Sequence, residues 1–135
     1  MPDDIILNKA ETIEKCLERI RTEYAGTSSN LLDNVTKQDS IILNLERACQ
    51  AAVDMGMRVV RKKKLGIPKE SRDAFALLET SGIISKELKQ KMFGMVGFRN
   101  TAVHNYKGLN LNIVEAIIKK HLDDFIEFSK ICLKL

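Results

Sequence analysis

The strongest constraint on the fold is a run of helical periodicity from about Lys37 to Lys64, where Ile42, Leu45, Cys49, Ala52, Val53, Val59 and Val60 fall on one stripe. A stripe this long must be covered by other helices, and no stretch shows the period-two alternation of a strand. Thr36 or a neighbour is expected to cap this helix, with Gly66 of "LGIPKES" as its stop and Pro68 beyond. An earlier helix is expected from about Asp4 to Tyr24, followed by a loop in "AGTSSNLLDN". A short helix from Ser71 to Thr80 leads through "SGIIS" to a fourth, opened by Ser85 and running to about Tyr106. Gly108 breaks it, and a last helix runs from about Asn110 to Leu135 with Ile113, Ile117, Leu122, Phe125, Phe128 and Cys132 toward the core. The expectation is one domain over 1–135, an all-α up-and-down bundle of four long helices plus one short helix.

Composition narrows the chemistry. A chain of 135 residues can bury a core without covalent staples. The three cysteines, Cys16, Cys49 and Cys132, are far apart, lack C-x-x-C spacing and sit among apolar helical neighbours, as in a reduced, cytosolic protein. With only two histidines, a zinc site of Cys and His has too few candidates, and neither metal nor cofactor is expected. "MPDDIILNKA" begins with acids, and no run approaches the roughly 20 apolar residues of a membrane span, so a cytoplasmic location is expected. A net charge of +4 and a pI near 9.0 lean mildly toward a polyanionic partner.

The fourth helix carries an anomaly. At about 100° per residue, Leu88, Met92, Met95, Ala102 and Tyr106 share a stripe that also contains Arg99, the only formal charge between Lys91 and Lys107. That places Arg99 on the core face. Phe93, Gly97, Asn100 and His104 run up the other side, and Gly94 and Gly97 would allow a close approach of another backbone. A buried guanidinium must be paired or given a polar cleft. Glu46, bordering the stripe of the second helix, is one candidate partner, and Asn44 is another polar neighbour from that helix.

The combination also fits RNA chemistry. Cleaving an RNA phosphodiester needs a group that moves protons near neutral pH and a fixed cation for the charge that builds on phosphorus. Histidine and arginine are suited to those tasks. On an ideal helix Arg99 and His104 point about 140° apart. Bringing them to one phosphate takes the reach of the arginine, a distortion of the helix end, or a second copy in a twofold dimer.

"RNTAVHNY", Arg99 to Tyr106, resembles the R-x4-H-x-Y motif of HepT-type toxins in the HEPN superfamily of small α-helical ribonucleases. "QDSIILNLERACQAAVD" and "LGIPKESRDAFALL" extend the resemblance along the chain. It implies a homodimer with the motif helices at the interface, cleaving RNA without metal. His104 matches the catalytic histidine, Arg99 the arginine that stabilises the cleaving phosphate, and Asn100 the polar residue that follows it. It further implies a partner, an MntA-like minimal nucleotidyltransferase antitoxin, which transfers AMP from ATP to the motif tyrosine. Tyr106 stands at that position, seven residues after Arg99 and nearly in line with it on a regular helix, so that the AMP phosphate would lie against Arg99. Without the resemblance, Tyr106 reads as a core residue bonded through its hydroxyl.

Arg58, Arg61, Lys62, Lys63 and Lys64 crowd the end of the second helix. There they complement the helix dipole, and a patch that draws in RNA is the other reading. His121, beside Lys119 and Lys120, reads as a surface residue. The competing functional class is a non-catalytic helical module that binds a nucleotide or serves the nucleotidyltransferase as an accessory subunit.

Overall fold

A computed structural model describes residues 3–25 and 31–135. Helix α1 (Asp4–Ala25) opens on Asp3, whose carboxylate accepts from the N–H groups of Ile5 at 3.0 Å and Ile6 at 3.1 Å. Of the loop expected in "AGTSSNLLDN", residues 26–30 lie outside the described residues, and Leu31–Asp33 form a 3₁₀ turn with Leu31 buried. Helix α2 (Val35–Lys63) is capped by Asn34 rather than Thr36. The Asn34 side chain accepts from the Lys37 N–H at 3.1 Å, and its extended backbone suits a cap, whereas Thr36 is already helical.

The far end of α2 also differs in detail. Lys64, at φ 55° and ψ 48°, is the left-handed residue whose N–H returns to the carbonyls of Arg61 and Val60. Gly66 stands outside the helix at φ 145°, where a Cβ would lie 3.1 Å from a Leu77 methyl. Helix α3 (Ser71–Thr80) begins with a reciprocal cap between Glu70 and Asp73. Helix α4 (Lys86–His104) starts at Ser85, which accepts from the Leu88 N–H at 3.0 Å as expected.

The single last helix does not form. It divides at His121 into α5 (Leu111–Lys120) and α6 (Leu122–Leu133), so the described residues hold six α-helices and no strand. The charge pattern explains the break: Lys119 and Lys120 complement the negative end of α5, and Asp123 and Asp124 complement the positive start of α6. His121 is consequently half-buried and not a free surface group. Its Nδ1 lies 2.9 Å from the carboxylate of buried Asp124, which Lys91 of α4 also approaches at 3.6 Å.

The all-α bundle is otherwise as expected, with α2 at its centre against α1, α3, α4 and α6. Phe75 of α3 and Phe128 of α6 meet edge to face at 5.3 Å, each fully buried and each contributing about 1.5–3 kcal/mol by leaving water. All three cysteines are buried and free. Burial pushes the Cys49 and Cys132 thiols up to about 12, so both act as neutral core groups.

Candidate functional site

Helix α4 buries its first turns and then leaves the core. Leu88, Met92, Met95, Val96 and Phe98 are buried, Ala102 is the last buried residue, and Val103 and His104 are exposed. Arg99 sits at the transition, half-buried rather than on the core face, because its long side chain carries the guanidinium sideways to the rim between α2 and α3.

Three neutral side chains hold that guanidinium. Gln50 of α2 accepts from Nη1, the Ser71 hydroxyl at the start of α3 accepts from Nη2 at 3.2 Å, and the Asn100 carbonyl accepts from Nε at 3.3 Å and Nη2 at 2.9 Å. Among the described residues no carboxylate forms an ion pair with Arg99. Glu46 lines the same space without bridging to it, and Asn44 turns back to its own helix, donating to the Ser40 carbonyl at 2.8 Å. The guanidinium is therefore oriented without being neutralised. An anion arriving here meets a full positive charge already in position.

Arg99, Asn100 and His104 line one open groove of about 400 Å³, completed by Glu46, Arg47, Gln50 and Val103. Within one chain Arg99 and His104 border the same groove, with α2 as its opposite wall, and the guanidinium itself is turned toward Gln50 and Ser71. A smaller space of about 100 Å³ on the other side of Arg99 is bounded by Glu70, Ser71, Arg72 and Val96. Gly97 makes room for Arg72, since a Cβ there would stand 3.0 Å from its guanidinium. Gly94 faces open space, with no atom within 4 Å of where a Cβ would stand. A larger cavity of about 590 Å³ between α4 and α5 contains none of the residues expected to carry chemistry.

Tyr106 does not continue the helix. Asn105 ends α4 at φ −147° and ψ 60°, and Tyr106–Gly108 form a 3₁₀ turn. At Gly108 the Asn105 side-chain amide packs into the space that a Cβ would occupy. The phenol is thus out of line with Arg99, and its hydroxyl donates to the Asp39 carboxylate near the start of α2. Partial burial, with Asp39 as acceptor, pushes the Tyr106 phenol up to about 12. The residue remains 43% exposed.

The basic cluster is divided. Arg58 bonds Asp3 through Nε at 3.0 Å and Nη2 at 2.9 Å, and Lys62 approaches the same carboxylate at 3.7 Å, while Arg61, Lys63 and Lys64 are exposed. Lys64 stands about 21 Å along α2 from Gln50, at 1.5 Å per residue, well away from the groove.

The model of the ribonuclease HepT-like family matches residues 13–131. The chain belongs to that family. It is 45% identical over 126 residues to the mRNA nuclease HepT of Shewanella oneidensis, covering 93% of this chain and 94% of the relative. A solved structure of the tri-AMPylated Shewanella oneidensis HEPN toxin in complex with MNT antitoxin superposes with a TM-score of 0.91 at 44% identity, covering 96% of each chain. A crystal structure of a toxin–antitoxin with AMP-PNP also gives 0.91, at 42% identity over 96% of this chain and 98% of the other.

Within this HepT-like chain, the motif residues Arg99, Asn100 and His104 line the groove beside residues that the sequence did not single out. Gln50, Ser71, Arg47 and Asp39 come from other helices and become neighbours of the motif only when the bundle closes. A sign of α2's role was present: Asp39, Glu46 and Gln50 recur at offsets of seven and four, in a polar line along one border of its apolar stripe. Among the described residues no group of three or more His, Cys, Asp or Glu side chains is placed to hold a metal ion, and no helix is long and apolar enough to cross a membrane.

Proposed function

We propose that this HepT-like chain, over 1–135, is a metal-independent endoribonuclease toxin of the cytoplasm that acts as a homodimer and is neutralised by AMP placed on Tyr106. The observation that carries the reading is the groove in which an oriented, unpaired Arg99 and an exposed His104 stand together. RNA offers a 2′-hydroxyl beside each phosphorus. Attack by that oxygen forms a new P–O bond and expels the 5′-oxygen, which requires one proton to leave and another to arrive. His104 is assigned to proton transfer and Arg99 to the charge that accumulates on the phosphate oxygens. Asn100 holds the guanidinium through two of its nitrogens and so fixes the fork.

One histidine per groove can serve only one end of the exchange at a time. A twofold dimer would bring a second groove alongside and supply the other proton-transfer group. Arg47 on the opposite wall adds a cation for a flanking phosphate, and the exposed Arg61, Lys63 and Lys64 add an outlying contact for a longer RNA. The partner is a nucleotidyltransferase antitoxin that delivers AMP to Tyr106, a reading supported by the tri-AMPylated toxin in complex with MNT antitoxin and by the exposure of this phenol.

The test is cleavage of a mixed RNA substrate in EDTA by purified chain. Wild-type protein is expected to cut and the His104→Ala protein to leave the RNA intact with an unchanged helical spectrum. Cleavage retained by that variant, or lost on chelation and restored by a divalent cation, would overturn the assignment. Absence of cleavage together with tight nucleotide binding would return the chain to the accessory class.

A further inference from the structure

We propose that Asp39 is the proton acceptor for the modification of Tyr106, so that the toxin itself supplies the base for its own silencing. The proposal rests on the reading that Tyr106 receives AMP and adds a residue on a different helix to that reaction. The phenolic hydroxyl donates to the Asp39 carboxylate, which directs the proton toward α2 and leaves the oxygen's lone pairs to an approaching electrophile. Both residues are exposed, so a nucleoside triphosphate held by a partner can reach the oxygen. Asp39 forms no ion pair among the described residues, and its carboxylate is open to receive the proton. A phenol held at about 12 is ionised in only about one molecule in 10⁵ at neutral pH, so attack needs the proton removed as the new bond forms.

The step balances simply. Tyr106 Oη forms a bond to the α-phosphorus of the triphosphate, the bond to the β-phosphate bridging oxygen breaks, pyrophosphate leaves with the electron pair, and the phenolic proton passes to the Asp39 carboxylate and on to water. With the proton aboard, Asp39 is neutral at the moment the anionic phosphodiester appears beside it. An ionised carboxylate at that distance would oppose the product.

The experiment combines ATP, the active nucleotidyltransferase antitoxin and the full-length chain, and follows AMP addition by intact and peptide mass spectrometry. Asp39→Asn keeps an acceptor for the hydroxyl but cannot take its proton, and is expected to slow adduct formation about hundredfold. Asp39→Glu restores a carboxylate and is expected to recover to within about tenfold of wild type. Tyr106→Phe is expected to carry no adduct. An Asp39→Asn protein modified at the wild-type rate, with Tyr106→Phe unmodified, overturns the role of Asp39 and leaves the site of modification standing. A wild-type chain that acquires no adduct, or a Tyr106→Phe chain that acquires one at another residue, removes the modification reading and this proposal with it.

Discussion

The pairing of α2 with α4 divides into two halves that follow opposite rules. Toward the start of α4, Met92, Met95 and Val96 join Ala52, Met55 and Val59 of α2 in one sealed apolar core. Toward its end, Arg99, Asn100 and His104 face Glu46, Arg47 and Gln50 across an open groove. The backbones are regular helix in both halves, so the change lies in side chains alone. Stability is concentrated where the facing residues exclude water, and chemistry becomes available where the same helices cease to do so.

The contrast breaks most visibly at His104. His104→Ala is expected to reduce RNA cleavage by about 10²- to 10⁴-fold without moving the thermal midpoint, since the side chain is exposed. A fall in stability that matched the fall in activity would erase the distinction between the halves. Arg99 stands on the boundary and should show both effects. Arg99→Lys is expected to lose about 10²- to 10³-fold in cleavage, because an ammonium cannot reproduce a fork held by Gln50, Ser71 and Asn100, and Arg99→Ala should add about 1–3 kcal/mol of destabilisation in urea.

On the sealed side, Met92→Ala is expected to lower stability by about 2–5 kcal/mol in denaturant titrations. Cleavage per folded molecule should stay near wild type if the two halves are independent.

The outer end of α2 sharpens the same division by a smaller amount. The Arg58 guanidinium holds the Asp3 carboxyl down to about 2. A depressed carboxyl stabilises the fold fully above its unfolded value of about 3.9 and loses that contribution as pH falls toward 2. Acid titrations of stability should therefore be flatter for Asp3→Asn than for wild type between about pH 4 and 2. Joint replacement of Arg61, Lys63 and Lys64 by Gln is expected to weaken RNA binding only a few-fold and to reduce its salt dependence, because these groups lie outside the groove.

Periodicity and capping made most of the bundle legible in the sequence. The apolar stripe of α2, the start of α4 at Ser85 and the burial of all three cysteines follow from local pattern. His121 was harder because the apolar spacing continues through it, and only the change from Lys119–Lys120 to Asp123–Asp124 marks the break. The groove was legible by half. Arg99, Asn100 and His104 announce themselves as polar groups at the end of an apolar helix, whereas Gln50 and Ser71 are ordinary polar residues until tertiary packing places them against the guanidinium. Tyr106 shows the limit of extrapolating a helix: a regular α4 would align it with Arg99, whereas the chain leaves the helix at Asn105 and the phenol turns toward Asp39.

The opposition of Gln50 to Arg99 and of Asp39 to Tyr106 has a consequence for how such a chain can vary in length. The two segments run in opposite directions, so both matches depend on counting residues along each of them together. One inserted residue within α2 between Asp39 and Gln50 would rotate everything beyond it by about 100° and forfeit one match whichever was kept. Insertions and deletions are therefore tolerable in the connections outside these segments and ruinous within them, unless both segments change in step.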